Sequence, residues 1–166
     1  WVTSDDARAA SLRKKCLITV VPIMDIDNVA IGAGGKNQQP QDHNRDWSSK
    51  PHWNSVRGAM KHVKKMDAAG GLALFVDLHN PGAGDRNPYY YVPPRETLSK
   101  VGAKNLDHFT TVSQLEITGP LAYKGRSIES GKKYDKNWKK ISKNWIAANT
   151  RDHCVSVTLE TPWNTP

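Results

Sequence analysis

The chain reads as an α/β protein, a sheet with helices packed on its faces. Three observations predict this. Leu17-Ile18-Thr19-Val20-Val21-Pro22-Ile23 is β-branched and apolar, which is the composition of a buried strand. Trp53, Val56, Met60 and Val63 recur at three- and four-residue spacing, lining one face of a helix. Leu72 to Val76 is a continuous apolar run behind Gly70 and Gly71, the pattern of a strand buried on both faces. A strand–helix–strand order packs helices against a sheet.

The elements follow in order. Asp5 to Lys15 can form a short helix, and Pro22 marks the end of the first strand. Asp25 to Gln41 reads as a loop, with Gly32, Gly34 and Gly35 and no periodicity. It is no phosphate loop, because it lacks a Gly-Lys-Ser/Thr ending and opens no helix. Ser48 or Ser49 can cap the next helix, with Pro51 in its first turn, and Gly70-Gly71 stops it. The following strand ends at Asp77-Leu78-His79. Ligands of open α/β sheets bind outside such carboxyl ends. After a Gly- and Pro-rich loop, Tyr89 to Val92 reads as a short strand or an extended piece. Pro93-Pro94 opens a helix with Leu98, Val101, Leu106, Phe109 and Val112 inside, and 117 to 131 is mostly loop. Tyr134, Trp138, Ile141, Trp145 and Ala148 form the stripe of a last helix. Val155, Val157 and Leu159 alternate with Ser156, Thr158 and Glu160, a half-buried strand pattern.

Composition bounds the rest. With 166 residues, one domain spanning 1 to 166 is the natural count. No apolar run approaches the ~20 residues that span a bilayer. The start resembles no signal peptide and begins at Trp1, as a processed product or fragment would. The net charge of +8 suits an acidic substrate, an anionic surface or nucleic acid. Lysines from Lys132 to Lys143 interleave with Tyr134 and Trp138, which raises a single-strand binder. A helix with an apolar stripe and a solvated lysine face explains the same pattern better. Cys16 and Cys154 allow one bridge or two buried thiols, and leave the compartment open.

Asp42-His43-Asn44-Arg45-Asp46-Trp47 crowds Asn, Arg and two Asp residues ahead of a helix. Arg offers a planar fork of donors that suits a carboxylate. A capped, salt-bridged turn is the plainer reading. Two later stretches, Phe75 to Asn80 and Ser156 to Glu160, change the balance. In this order the three stretches resemble the zinc carboxypeptidase family, the carboxypeptidase A/B-like metallopeptidases. The wording from Gly35 to Trp47 resembles a bacterial branch. The resemblance implies a mixed, largely parallel sheet with helices on both faces.

It also implies chemistry. His79 corresponds to the downstream zinc ligand, Glu160 to the general acid/base, and Asn44 with Arg45 to the clamp on the substrate's terminal carboxylate. Tyr134 is the nearest match to the tyrosine above the site, and Lys36 is a weak match for the oxyanion-stabilising cation. Such peptidases use three protein ligands and a metal-bound water. The substrate would be a peptide or other acylated amino acid with a free carboxylate. The preferred terminal side chain stays open.

One departure stands out. The family's first two zinc ligands come from an upstream His-x-x-Glu pair. None of His43, His52, His62, His79, His108 or His153 has Glu three positions later. The expectation is therefore a C-terminal portion of the fold, with zinc bound only in an intact parent that adds the N-terminal segment. His43 is assigned a supporting role, and His52, His62 and His108 a solvent-facing one. His153, an odd number of residues before Glu160, points to the opposite face. Asp77 shares the face of His79 and can orient it. The competing readings are a non-catalytic domain that binds peptides or acidic ligands through Asn44 and Arg45, and the basic nucleic-acid binder.

Overall fold

The computed structural model describes residues 1 to 163. Four strands form one sheet, ordered β1 (Leu74–His79), β4 (Val155–Glu160), β2 (Tyr89–Val92), β3 (Ser127–Glu129). β1 runs parallel to β4, in register from Leu74 with Val155 to His79 with Glu160. β2 is antiparallel to β4 and parallel to β3. Side chains alternate along a strand, so this register sorts the two faces. Phe75, Asp77, His79, Ser156, Thr158, Glu160, Tyr89 and Tyr91 share one face. Val155, Val157, Leu159 and Tyr90 share the other.

Helices cover both faces, as expected. On the first, Val56, Met60 and Val63 of α3 (Asn54–Gly70) pack with Trp145 and Ile146 of α5 (Ser142–Asn149), Trp47 and Phe75. On the second, Leu106 of α4 (Lys100–Glu116) packs with Tyr90, Val92, Tyr123 and Val157. Gly71 ends α3 at φ 95°, and a Cβ there would meet the His153 ring at 2.8 Å. Glycine is the residue that both constraints favour.

The first expected strand is absent. Leu17 to Ile23 forms no ladder, and Leu17 is 82% exposed. A strand needs a neighbour to take its N–H and C=O groups, and none lies beside this segment among the described residues. Its Thr19 hydroxyl instead lies 3.3 Å from His62 on α3. The burial of the two later strands is also the reverse of expectation. β1 is an edge strand with Leu74, Val76 and Leu78 exposed, whereas the alternating β4 is central and buried on both faces. Apolar content cannot tell an edge from a centre; the neighbours decide.

Smaller corrections have local causes. The expected loop 25–41 holds a short helix α2 (Ile26–Ala30), capped by Asp25. α1 (Ala7–Lys15) is capped by Asp6. α3 begins at Asn54 rather than after Ser48 or Ser49, because the Asp46 carboxylate accepts from the backbone N–H groups of His52 and Trp53. α4 begins after its cap Ser99, a turn later than Pro93-Pro94, and Val101 and Val112 lie outside the core. Residues 134–148 do not form one helix. A tight turn at Trp138–Lys140 precedes α5, held by Asn144 Nδ2 donating to the Trp138 and Ser130 carbonyls. The solvated lysine face therefore does not exist as a helix, and Lys143 is buried. Cys16 is exposed, Cys154 is buried, and both are free.

Candidate active-site cleft

Two parallel strands in register end together, so their last side chains meet. His79 Nδ1 lies 3.9 Å from Glu160 Oε1. Asp77, two residues earlier on the same face, has Oδ2 3.1 Å from His79 Nε2. The Ser142 hydroxyl donates to that same Asp77 oxygen at 2.6 Å. Asn44 Nδ2 is 3.3 Å from His79 Nε2, and Asn44 Oδ1 accepts from the Ser142 N–H at 2.8 Å. One ring nitrogen thus donates to Asp77, with the Asn44 amide packed alongside it, and the other faces Glu160.

The charges follow from this packing. Burial alone would lower the basicity of His79, but the Asp77 hydrogen bond and charge, with Glu160 and Asp42, outweigh it and raise the pKa. Burial pushes the Asp77 carboxyl up, and His79 and the Ser142 hydroxyl reverse that, leaving it lowered. Glu160 behaves differently. Burial raises its pKa, and the nearby His79 offsets only part of the effect. Its Oε2 is buried without a hydrogen-bond partner.

Asn44 and Arg45 arrive on a tight turn, His43–Arg45, whose N-cap Asp42 accepts from the Asn44 N–H at 2.7 Å. Arg45 Nε donates to Asp135 at 2.7 Å and Nη1 to the Asn44 carbonyl at 2.8 Å. The guanidinium is held at two points and lines the cleft. His43 supports the turn from below: it stacks on Trp53, with ring centroids 4.8 Å apart, and its Nε2 is 2.8 Å from the Ser55 hydroxyl. His52, His62 and His108 are exposed.

The residues singled out from the sequence, His79, Glu160, Asn44, Arg45, Tyr134 and Lys36, line one cleft of about 210 Å³. That is below the ~300–1,000 Å³ of drug-sized pockets and nearer the size of one terminal residue. Tyr134 packs on Tyr91 with centroids 5.0 Å apart. Sequence reasoning missed Lys143, Thr158, Ser142, Tyr91 and Asp135. Thr158 was legible, two positions before Glu160 on the same strand face. Lys143 was hidden inside a lysine-rich run. Asp135 lies 90 residues from the arginine it holds, and no local signal marks it.

Zinc in an open site takes three protein ligands. Among the described residues, no three His, Cys, Asp or Glu side chains are arranged to hold a metal. His79 is the one imidazole at the cleft, and its Nε2 is engaged by Asp77. These residues do not by themselves complete a zinc site.

No family model matches the chain, and no curated protein matches it. Solved structures do. The chain is similar to the metallo-carboxypeptidase of Burkholderia cenocepacia, with a TM-score of 0.61 and 20% identity over 86% of this chain and 35% of that one. It is also similar to a Burkholderia mallei ATCC 23344 protein described as a carboxypeptidase, with a TM-score of 0.63 and 21% identity over 96% of this chain and 39% of that one. The chain therefore spans less than two-fifths of the length of either. At such identity the likeness is one of fold: this is a carboxypeptidase-like α/β chain.

Proposed function

We propose that the cleft grips the free C-terminal carboxylate of a peptide or other acylated amino acid. In this reading Asn44 and Arg45 form the clamp and Glu160 is the proton-transferring group of a carboxypeptidase-like hydrolase. The observation that carries it is the convergence of Arg45, Asn44, His79 and Glu160 at the joint carboxyl end of β1 and β4. An arginine held at two points is pre-oriented for a planar anion. A buried carboxylate with a raised pKa and an unfilled oxygen is suited to take and return a proton. The +8 charge favours anionic ligands in the same sense.

Peptide hydrolysis would require ligands beyond those of this cleft, and a longer chain carrying them is part of the proposal. His79 would be this chain's contribution. The incomplete ligand set also favours a second reading, a non-catalytic domain that binds carboxylates without turnover. The nucleic-acid alternative was read from a helix over 132–143, of which α5 includes only Ser142 and Lys143.

Calorimetry with an N-acyl dipeptide and its C-terminal amide tests the clamp. The acid should bind about 10- to 100-fold more tightly, the range for charge-assisted hydrogen bonds, and Arg45→Met should remove the difference. Equal affinity for acid and amide would overturn the clamp. Hydrolysis by a longer form of the protein, lost by ~10²–10⁴-fold in E160Q, separates the enzyme from the binding domain.

A further inference from the structure

Lys143 is the second residue of α5 and is 1% exposed, yet it lines the cleft. A lysine is almost never this buried without a paired charge. Here no ion pair or hydrogen bond reaches its Nζ among the described residues; the ammonium lies over the Tyr91 ring, 5.7 Å from the centroid. Asp77, the nearest carboxylate electrostatically, is already taken by His79 and Ser142.

A second observation lies beside it. Thr158 is 2% exposed, and its Oγ1 has no hydrogen-bond partner. Thr158 sits in register between Asp77 on β1 and Tyr91 on β2, on the cleft face of the sheet. The floor of the cleft thus holds three free donors on an ammonium and one on a hydroxyl. Native structures rarely leave buried polar groups unmet, and both groups ask for an acceptor, preferably an anion.

The clamp already accounts for one carboxylate. The geometry points to a second: Lys143, assisted by Thr158, receives the side-chain carboxylate of an acidic C-terminal residue whose α-carboxylate lies on Asn44 and Arg45. This rests on the proposed clamp and adds the substrate class, peptides ending in Glu or Asp. Lys143 is then a specificity-determining residue. Burial brings its pKa from 10.5 down to about 7, so an incoming anion would also secure its charge.

The test is calorimetry of the full chain at pH 6.5, using four probes: benzoyl-Gly-Glu, benzoyl-Gly-Gln, benzoyl-Gly-Lys and the C-terminal amide of benzoyl-Gly-Glu. The expected result is that the Glu ligand binds at least ~10-fold more tightly than Gln, with Lys weakest. Lys143→Met should erase the Glu–Gln difference while keeping the acid-over-amide preference set by Arg45. Equal Glu and Gln affinity, with the amide still rejected, overturns the Lys143 role and leaves the clamp standing. A Glu preference that survives in K143M also overturns it. Equal binding of acid and amide removes the clamp and this inference together. If K143M does not fold, the lysine Cε resonances of the unmodified chain decide. The one that titrates near neutrality should shift its midpoint upward with the Glu ligand and not with Gln; no difference overturns the role.

Discussion

His79 and Glu160 close the same rung of a parallel ladder, with Nδ1 and Oε1 3.9 Å apart. They are 81 positions apart in the chain. Because parallel neighbours in register point to the same face, two short strands suffice to set an imidazole against a carboxylate. Asp77 and Thr158, one rung earlier on the same face, extend the polar row inward. The cleft is thus an extension of the sheet, with the Asn44–Arg45 turn laid across its end.

Glu160→Gln should stabilise the fold at neutral pH. The folded-state pKa of Glu160 is raised, so its stabilising contribution is complete below the ordinary carboxyl range and is lost as pH climbs through the raised value. Gln carries no such dependence. Melting curves from pH 4 to 8 should show the mutant gaining on the native chain as pH rises. A gap that stays constant would count against burial as the cause.

Lys143 has the opposite sign. Its pKa falls to about 7 in the folded chain, so the unfolded chain binds the extra proton between about 7 and 10.5, and stability rises with pH there. The rise should be clearest from pH 7 to 9, below the tyrosine range, and Lys143→Met should flatten it. An unchanged slope in K143M would contradict the buried-ammonium account.

Asn44→Ala should destabilise by about 1–3 kcal/mol, because it leaves the buried Ser142 N–H without its acceptor. Asn44→Asp keeps an acceptor at that place and should recover part of the loss. Chemical denaturation of the two variants measures the difference. An alanine variant as stable as the native chain would mean the bond contributes little.

Ile146→Ala should cost about 2–5 kcal/mol, since Ile146 is fully buried in the cluster shared by α3 and α5. For a chain this size that corresponds to a melting point lower by roughly 2–4 °C per kcal/mol. Val101→Ala on α4, half exposed, is the control and should change little.

Much of the architecture was legible because it is written in local chemistry. The helix stripe of Val56, Met60 and Val63, the stop at Gly71, the strands ending at His79 and Glu160 and the turn at Asn44-Arg45 all follow from periodicity, glycine and short motifs. Tertiary context overrode the rest. Leu17 to Ile23 has strand composition, yet strand formation depends on a neighbour that no propensity supplies. The aromatic stripe from Tyr134 to Ala148 has helical spacing, but Asn144 and Asn44 draw its backbone into other hydrogen bonds.

By itself, the amino-acid order determined which groups could do chemistry: one histidine and one glutamate at strand ends, an Asn-Arg pair, and a surplus of cations. Tertiary structure alone decided which of those cations matters. Five lysines between Lys132 and Lys140 lie in solvent, while Lys143 in the same run turns inward onto Tyr91. The reason is physical: whether a charge is hydrated or desolvated depends on what packs over it, and here that cover comes from strands distant in sequence.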